Sequence, residues 1–176
     1  MSKEILDKKD IERIIARMSH EIIEKNKGVG SICLVGIQKR GVHIAKRIAM
    51  KLKEIEGVDV PVGMLDIALY RDDINVRKKQ PLVRRTEVPC QISDRNVVLV
   101  DDVLFTGRSI RAAMDALMDF GRPATIQLAV LVDRGHRELP IKADFVGKNI
   151  PTLISETVNV QLEEDGMADK VCLNEP

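Results

Sequence analysis

The chain has 176 residues, 44% hydrophobic and 31% charged, with a formal net charge of +1. It is long enough to build one full-sized core, and its balanced charge excludes a global nucleic-acid-binding signature, so any RNA contact needs a local basic patch. Aromatic residues are 2% with no Trp, which calls for an aliphatic core and excludes the stacking platforms of single-strand binders.

The opening MSKEILDKKD carries no signal-like apolar region, and no apolar run approaches membrane-spanning length. The expectation is a single cytoplasmic domain over 1–176. Residues 10–27 are predicted as an amphipathic helix with Asp10 as N-cap. Ile11, Ile14, Ile15, Met18, Ile22 and Ile23 form its apolar stripe, and Gly28 and Gly30 end it. SICLVG (31–36) is predicted as a buried strand, 41–55 as a helix, and VPVGMLDIALY (60–70) as a second strand. Residues 71–96 carry many charges and two prolines over a length unusual for a structureless loop, which points to a functional lid over about 71–88. Then come a strand at 97–102, a helix at 108–120 and a strand at 125–133. The tail from 134 is predicted as a small irregular hood with short strands at ADFVG and TVNVQL. Helices alternating with apolar strands argue an α/β fold with a mainly parallel sheet flanked by helices. Cys33, Cys90 and Cys172 are far apart and match no metal motif, so three reduced thiols are expected.

The informative stretch is VVLVDDVLFTGRS (97–109). An apolar strand runs into Asp101 and Asp102, then into a loop that opens a helix. In open α/β sheets, ligands bind beyond the carboxyl ends of the strands. Gly107 lets the backbone turn, Thr106 and Ser109 supply hydroxyls, and the helix start supplies free N–H groups and a positive dipole end. Together they make a monophosphate cradle beside two acids that suit a sugar's hydroxyls. A second loop, GIQKRG (36–41), sits at another strand tip and carries Lys39 and Arg40. No Walker A pattern is present.

VVLVDDVLFTGRS resembles the phosphoribosyl-pyrophosphate signature of the type I phosphoribosyltransferases. The segments HEIIEKNKG, VGIQKRGVHIAKRIA, LYRDD, VDDVLFTGRSIRAAMDAL, VQLEEDG and above all LVDRGHRELPIKADFVGKNIPT resemble the bifunctional pyrimidine operon attenuation regulators, which also carry uracil phosphoribosyltransferase activity. Lys39 stands where that pattern has Thr, Ser109 replaces a common Thr, and 74–88 diverges.

The resemblance implies a type I phosphoribosyltransferase fold and transfer of phosphoribose from phosphoribosyl pyrophosphate to uracil, giving UMP and pyrophosphate. Asp101 and Asp102 would hold the ribose hydroxyls. Val103, Leu104, Phe105, Thr106, Gly107, Arg108 and Ser109 would bound the 5′-phosphate. Gln38, Lys39, Arg40 and Gly41 would take the pyrophosphate. Arg71, Arg84 and Arg85 are lid candidates, and backbone near Arg134 and Val158 would read the uracil edge. Mg would bridge pyrophosphate and ribose oxygens and keep several waters, near Asp101 and Asp102, with no direct protein ligand. No general base is assigned, although His136 is available. The implied RNA surface, for a pyrimidine operon leader mRNA, comprises Arg17, His20, Lys25, Lys39, Arg137, Lys142 and Lys148, with UMP or UTP as effector. The resemblance also implies a homodimer or larger assembly and no membrane partner. On the residues alone, the basic positions of the first helix, interleaved with Glu12, Glu21 and Glu24, read as a solvated face, and it is the resemblance that makes them an RNA surface. A plain salvage phosphoribosyltransferase for another base, or a regulator without turnover, stays open.

Overall fold

The computed structural model describes residues 2–72 and 85–176. In chain order the elements are β1 (Ser2–Leu6), α1 (Lys8–Asn26), β2 (Ile32–Ile37), α2 (Arg40–Glu56), β3 (Val62–Leu65), β4 (Asn96–Leu104), α3 (Arg108–Leu117), β5 (Thr125–Asp133), β6 (Phe145–Asn149), β7 (Thr157–Gln161) and β8 (Lys170–Asn174). Five strands form a sheet in the order β3-β2-β4-β5-β6, parallel at every pairing.

Because successive strand residues face opposite ways, β4 feeds two cores. Val98 and Val100 pack with Ile11, Ile15, Ile44 and Ile48 beneath α1 and α2. Val97 and Leu99 pack with Ile110, Ala113 and Leu117 of α3 on the opposite face. Burial on both sides explains why this strand is a continuous apolar run. Among the described residues no helix is long and apolar enough to cross a membrane.

Several boundaries differ from the sequence expectation. The N-cap of α1 is Asp7, not Asp10: the Asp7 carboxylate accepts from the Asp10 N–H at 2.8 Å, and the Asp10 carboxylate accepts in return from the Asp7 N–H at 3.3 Å. Two acids three residues apart build a reciprocal capping box, in which Asp10 is the inner partner. β3 stops at Leu65 rather than Tyr70. There the Asp66 side chain accepts from the Ala68 N–H at 2.9 Å, and Tyr70 N–H donates to Ile67 O, so the chain turns. β4 runs on through both acids to Leu104, and α3 gives way to a 3₁₀ turn at Met118–Phe120.

The tail is built differently from the expected hood. ADFVG contributes β6, which joins the main sheet beside β5. The small sheet is antiparallel, with order β1-β8-β7, so the amino-terminal residues belong to it. The expected reduced state of all three thiols is also corrected: Cys33 on β2 is joined to Cys90 as a disulfide, while Cys172 is free and buried. Lone cysteines 57 residues apart carry no spacing signal; the segment from Glu87, which pairs with Met64 at the end of β3, brings Cys90 back against the sheet.

Candidate active site

Three segments converge beyond the carboxyl edge of the sheet. The first follows β4. Gly107 has φ +93° and starts α3, and a Cβ there would press on Ile141 at 3.3 Å. The loop's carbonyls are held from outside: Thr106 O accepts from the N–H groups of Glu138 and Leu139 at 2.9 and 3.2 Å. Arg71, residues 103–110 and Glu138 line a cavity of about 410 Å³. The predicted cradle residues Val103, Leu104, Phe105, Thr106, Gly107, Arg108 and Ser109 all border it. Arg108 reaches Glu138 at 2.6 Å and Asp72 at 3.2 Å.

The second segment follows β2. The Gln38–Lys39 peptide is cis. Gly41 lies directly against β4: a Cβ there would sit 3.1 Å from Asp101 Cα and closer still to Val100 O. Only a residue without Cβ lets the start of α2 press backbone to backbone on that strand. This contact makes Gln38, Lys39, Arg40, Asp101 and Asp102 the walls of one cavity, also about 410 Å³.

The two acids differ because adjacent strand residues face apart. Asp101 is buried, its carboxylate accepting from the Asp102 N–H at 2.9 Å, while the Asp102 side chain is 22% exposed and 3.7 Å from Arg40. Burial, then the neighbouring Asp102 charge, pushes the Asp101 carboxyl well above its ordinary range, against the pull of Arg71.

The third segment is the chain after β5. Arg134 is buried, its guanidinium 4.0 Å from the Phe105 ring centroid and donating to Leu153 O at 3.0 Å. Burial lowers its pKa. His136 contacts Thr152 O at 2.6 Å. Val158 lies half-buried on β7 against the larger core and borders neither cavity. Arg84 lies outside the described residues. Arg85 pairs with Glu87 at 2.9 Å, and its carbonyl accepts from Gln38 Nε2 at 2.9 Å.

The residues expected to meet RNA separate into two groups. Arg17 donates from α1 to Gly147 O at 2.6 Å, Lys25 pairs with Asp144, and Lys148 Nζ lies 3.5 Å from Ile5 O. Those side chains, with exposed His20 and Lys142, lie along α1 and the β6 edge. Lys39 belongs instead to the strand-tip cavity. Arg137 braces the cradle, donating to Phe105 O and Ile141 O at 2.9 Å each and pairing with Asp133.

Sequence reasoning missed Asp165. Its side chain is 3% exposed, and it pairs with Lys39 and with Arg40, the latter at 3.1 Å. The only signal was Lys39 itself, an added cation where the family pattern has Thr.

Two anion-shaped loops at neighbouring strand tips, with paired acids between them, define the phosphoribosyltransferase class. Residues 1–165 match the phosphoribosyl transferase domain family. A hypoxanthine-guanine phosphoribosyltransferase from Bacillus anthracis shares the fold, with a TM-score of 0.71 at 17% identity over 98% of each chain. The hypoxanthine phosphoribosyltransferase of Trypanosoma cruzi has a TM-score of 0.75 at 19% identity, over 99% of this chain and 97% of that one. Within the class, the chain belongs to the bifunctional PyrR proteins. It is 62% identical to the Bifunctional protein PyrR of Roseiflexus sp. over 96% of this chain and 93% of that protein. It is 59% identical to that of Pelotomaculum thermopropionicum over 98% and 95%.

Proposed function

We propose that the protein transfers phosphoribose from phosphoribosyl pyrophosphate to uracil, and that it also binds the leader RNA of pyrimidine genes as a UMP-responsive attenuator in the cytoplasm. The observation that carries the enzymatic reading is the placement of Asp101 and Asp102 between the 104–109 cradle and the Lys39–Arg40 loop. A phosphorylated sugar carrying a second phosphate group matches that order of anion, hydroxyls and anion.

In the reaction, the bond from the anomeric carbon to the pyrophosphate oxygen breaks, the bond to uracil N1 forms, and the N1 proton is lost. Backbone N–H groups of the cradle with Thr106 and Ser109 fix the 5′-phosphate. Asp101 and Asp102 orient the ribose. Lys39 and Arg40 stabilise the charge that gathers on the departing pyrophosphate, which makes catalysis a matter of position and preorganised charge. Uracil lies beside Phe105 and Arg134, where hood backbone reads its carbonyl and N–H edge.

The donor set fits Mg²⁺ carried in with the substrate. Two carboxylates face the cavity, and among the described residues no group of three or more His, Cys, Asp or Glu could hold a metal alone. Bound near Asp101 and Asp102, Mg²⁺ would supply charge neutralisation for the pyrophosphate.

The regulatory reading is supported by membership among the bifunctional PyrR proteins and by the basic side chains along α1 and the β6 edge. A homodimer or larger assembly is part of the proposal; exposed Leu69, Met118 and Phe120 offer apolar surface for it.

The test is a filter-binding titration with a pyrimidine-leader RNA loop and a scrambled control, with and without UMP, beside turnover assays with uracil, hypoxanthine, guanine and orotate. Selective, UMP-enhanced binding with uracil turnover supports both halves. Equal, weak binding of both RNAs leaves a plain phosphoribosyltransferase, and turnover of another base in place of uracil rejects the substrate.

A further inference from the structure

The cations of the pyrophosphate loop already have a partner. Asp165 lies in the turn after β7, and its carboxylate touches the Lys39 ammonium on one oxygen and Arg40 Nε, at 3.1 Å, on the other. His43 Nε2, which has no hydrogen-bond partner among the described residues, faces the same carboxylate at 3.9 Å. On the far side of Arg40 stands Asp102 at 3.7 Å. Arg40 is therefore shared between two acids, and Lys39 is paired with one of them. Asp165 is not a wall of the cavity, which Gln38, Lys39, Arg40, Asp101 and Asp102 line; it reaches the cavity only through Lys39 and Arg40.

This carboxylate cannot readily swing aside. The turn that carries it is fastened to α2 by Arg47, which donates to both oxygens of Glu164, at 2.8 and 2.6 Å, and to both of Asp169, at 2.6 and 2.9 Å. Asp169 in turn accepts from the Glu163 N–H at 2.8 Å. Arg47 therefore does the docking, and the Asp165 charge is not needed for it. Hydrogen bonding to Lys39, then the charges of Lys39 and Arg40, hold the Asp165 carboxyl below its ordinary range despite burial, so it is ionised at neutral pH.

We propose that Asp165 is the counter-ion of the pyrophosphate site: it positions Lys39 and Arg40 and, by competing for them, weakens the grip on the pyrophosphate that has to leave. This rests on the reading of residues 38–41 as the pyrophosphate loop. A phosphate group entering the cavity meets cations already half-neutralised, held at the right place but not at full strength. Lys39 is an added charge relative to the family pattern, and the acid behind it keeps the product from being held too tightly.

The experiment is calorimetric titration of the full chain with inorganic pyrophosphate and Mg²⁺, alongside product inhibition of uracil phosphoribosyl transfer. In Asp165→Asn, which keeps shape and loses charge, pyrophosphate is expected to bind roughly 5-fold tighter or more. The KM for phosphoribosyl pyrophosphate falls in parallel, and the KM for uracil stays unchanged. In a Lys39→Thr background, the gain from Asp165→Asn shrinks. Unchanged or weaker pyrophosphate binding in a cooperatively folded Asp165→Asn protein overturns the proposal. Should that variant not fold, Asp165→Ser carries the same expectation and the same refutation. If Lys39→Ala and Arg40→Ala leave pyrophosphate binding untouched, the pyrophosphate-loop reading itself fails, whatever Asp165→Asn does.

Discussion

Gly41→Ala tests whether backbone contact between α2 and β4 assembles the site. The added methyl would sit 2.3 Å from Val100 O and 3.1 Å from Asp101 Cα. Ordinary contacts to carbon lie near 3.5–4.0 Å, so the start of α2 must retreat by roughly 1 Å or more. Overpacking of this kind costs about 1–3 kcal/mol, which for a chain of this length lowers Tm by about 2–12 °C. The functional cost is larger, because Lys39 and Arg40 ride on the displaced segment. A shift near 1 Å costs roughly 100-fold in rate. The assay is kcat/KM for uracil phosphoribosyl transfer beside a thermal melt. Gly57→Ala is the control: Gly57 caps the other end of the same helix at φ +73° with nothing within 4 Å of a Cβ. It should lose stability from the left-handed backbone while kcat/KM holds. Gly41→Ala turning over at the wild-type rate would refute the claim that this approach positions the loop.

Asp101→Asn should stabilise the ligand-free protein at neutral pH while lowering turnover at least about 100-fold. The folded-state pKa is raised by burial, so raising the pH through it charges a buried group and costs stability, and the amide removes that cost; a lower Tm than wild type at pH 7 contradicts this. Arg47→Ala leaves Asp169, 2% exposed, without its guanidinium, and should destabilise by about 3–5 kcal/mol in denaturant titration. Hydrogen bonds from Arg47 hold Glu164 below the ordinary carboxylate range, so their contribution is present above the unfolded-state pKa and lost as pH falls through the folded one. Arg47→Ala should therefore flatten the acid limb of the stability curve, and an unchanged limb excludes this pair as its source. Lys25→Ala and Lys148→Ala should weaken leader RNA binding across sequences and reduce the salt slope by about 1 each, with uracil turnover preserved; an unchanged slope removes that residue from the phosphate contacts.

The parallel sheet and both strand-tip loops were legible because their signals are local. An apolar run ending in two acids and TGRS states strand, tip and helix start within 13 residues, and GIQKRG does the same on a smaller scale. Asp165 was not legible, since its meaning depends on cations some 125 residues away. Arg137 was expected on the RNA surface, yet Asp133 and the carbonyls of Phe105, Gly135 and Ile141 engage it, contacts set by how the chain turns after β5. ADFVG was readable as a strand, but which sheet it joined was not: five residues do not choose a neighbour. The polar SKEIL has too little apolar alternation to announce β1.

The small sheet ties Ser2 to Asn174 and Leu6 to Val171. On a ribosome, β1 emerges well before β8, the strand it pairs with, and waits for it while the intervening chain is made. The parallel sheet, whose strands all lie between Ile32 and Asn149, can assemble in the meantime. Closing so long a loop is slow more than it is costly, since loop entropy grows only logarithmically. The turn bearing Asp165 lies between β7 and β8, so the counter-ion behind Lys39 is among the last parts set in place. Until that turn is made, a nascent chain carries Lys39 and Arg40 without the acid that stands behind them.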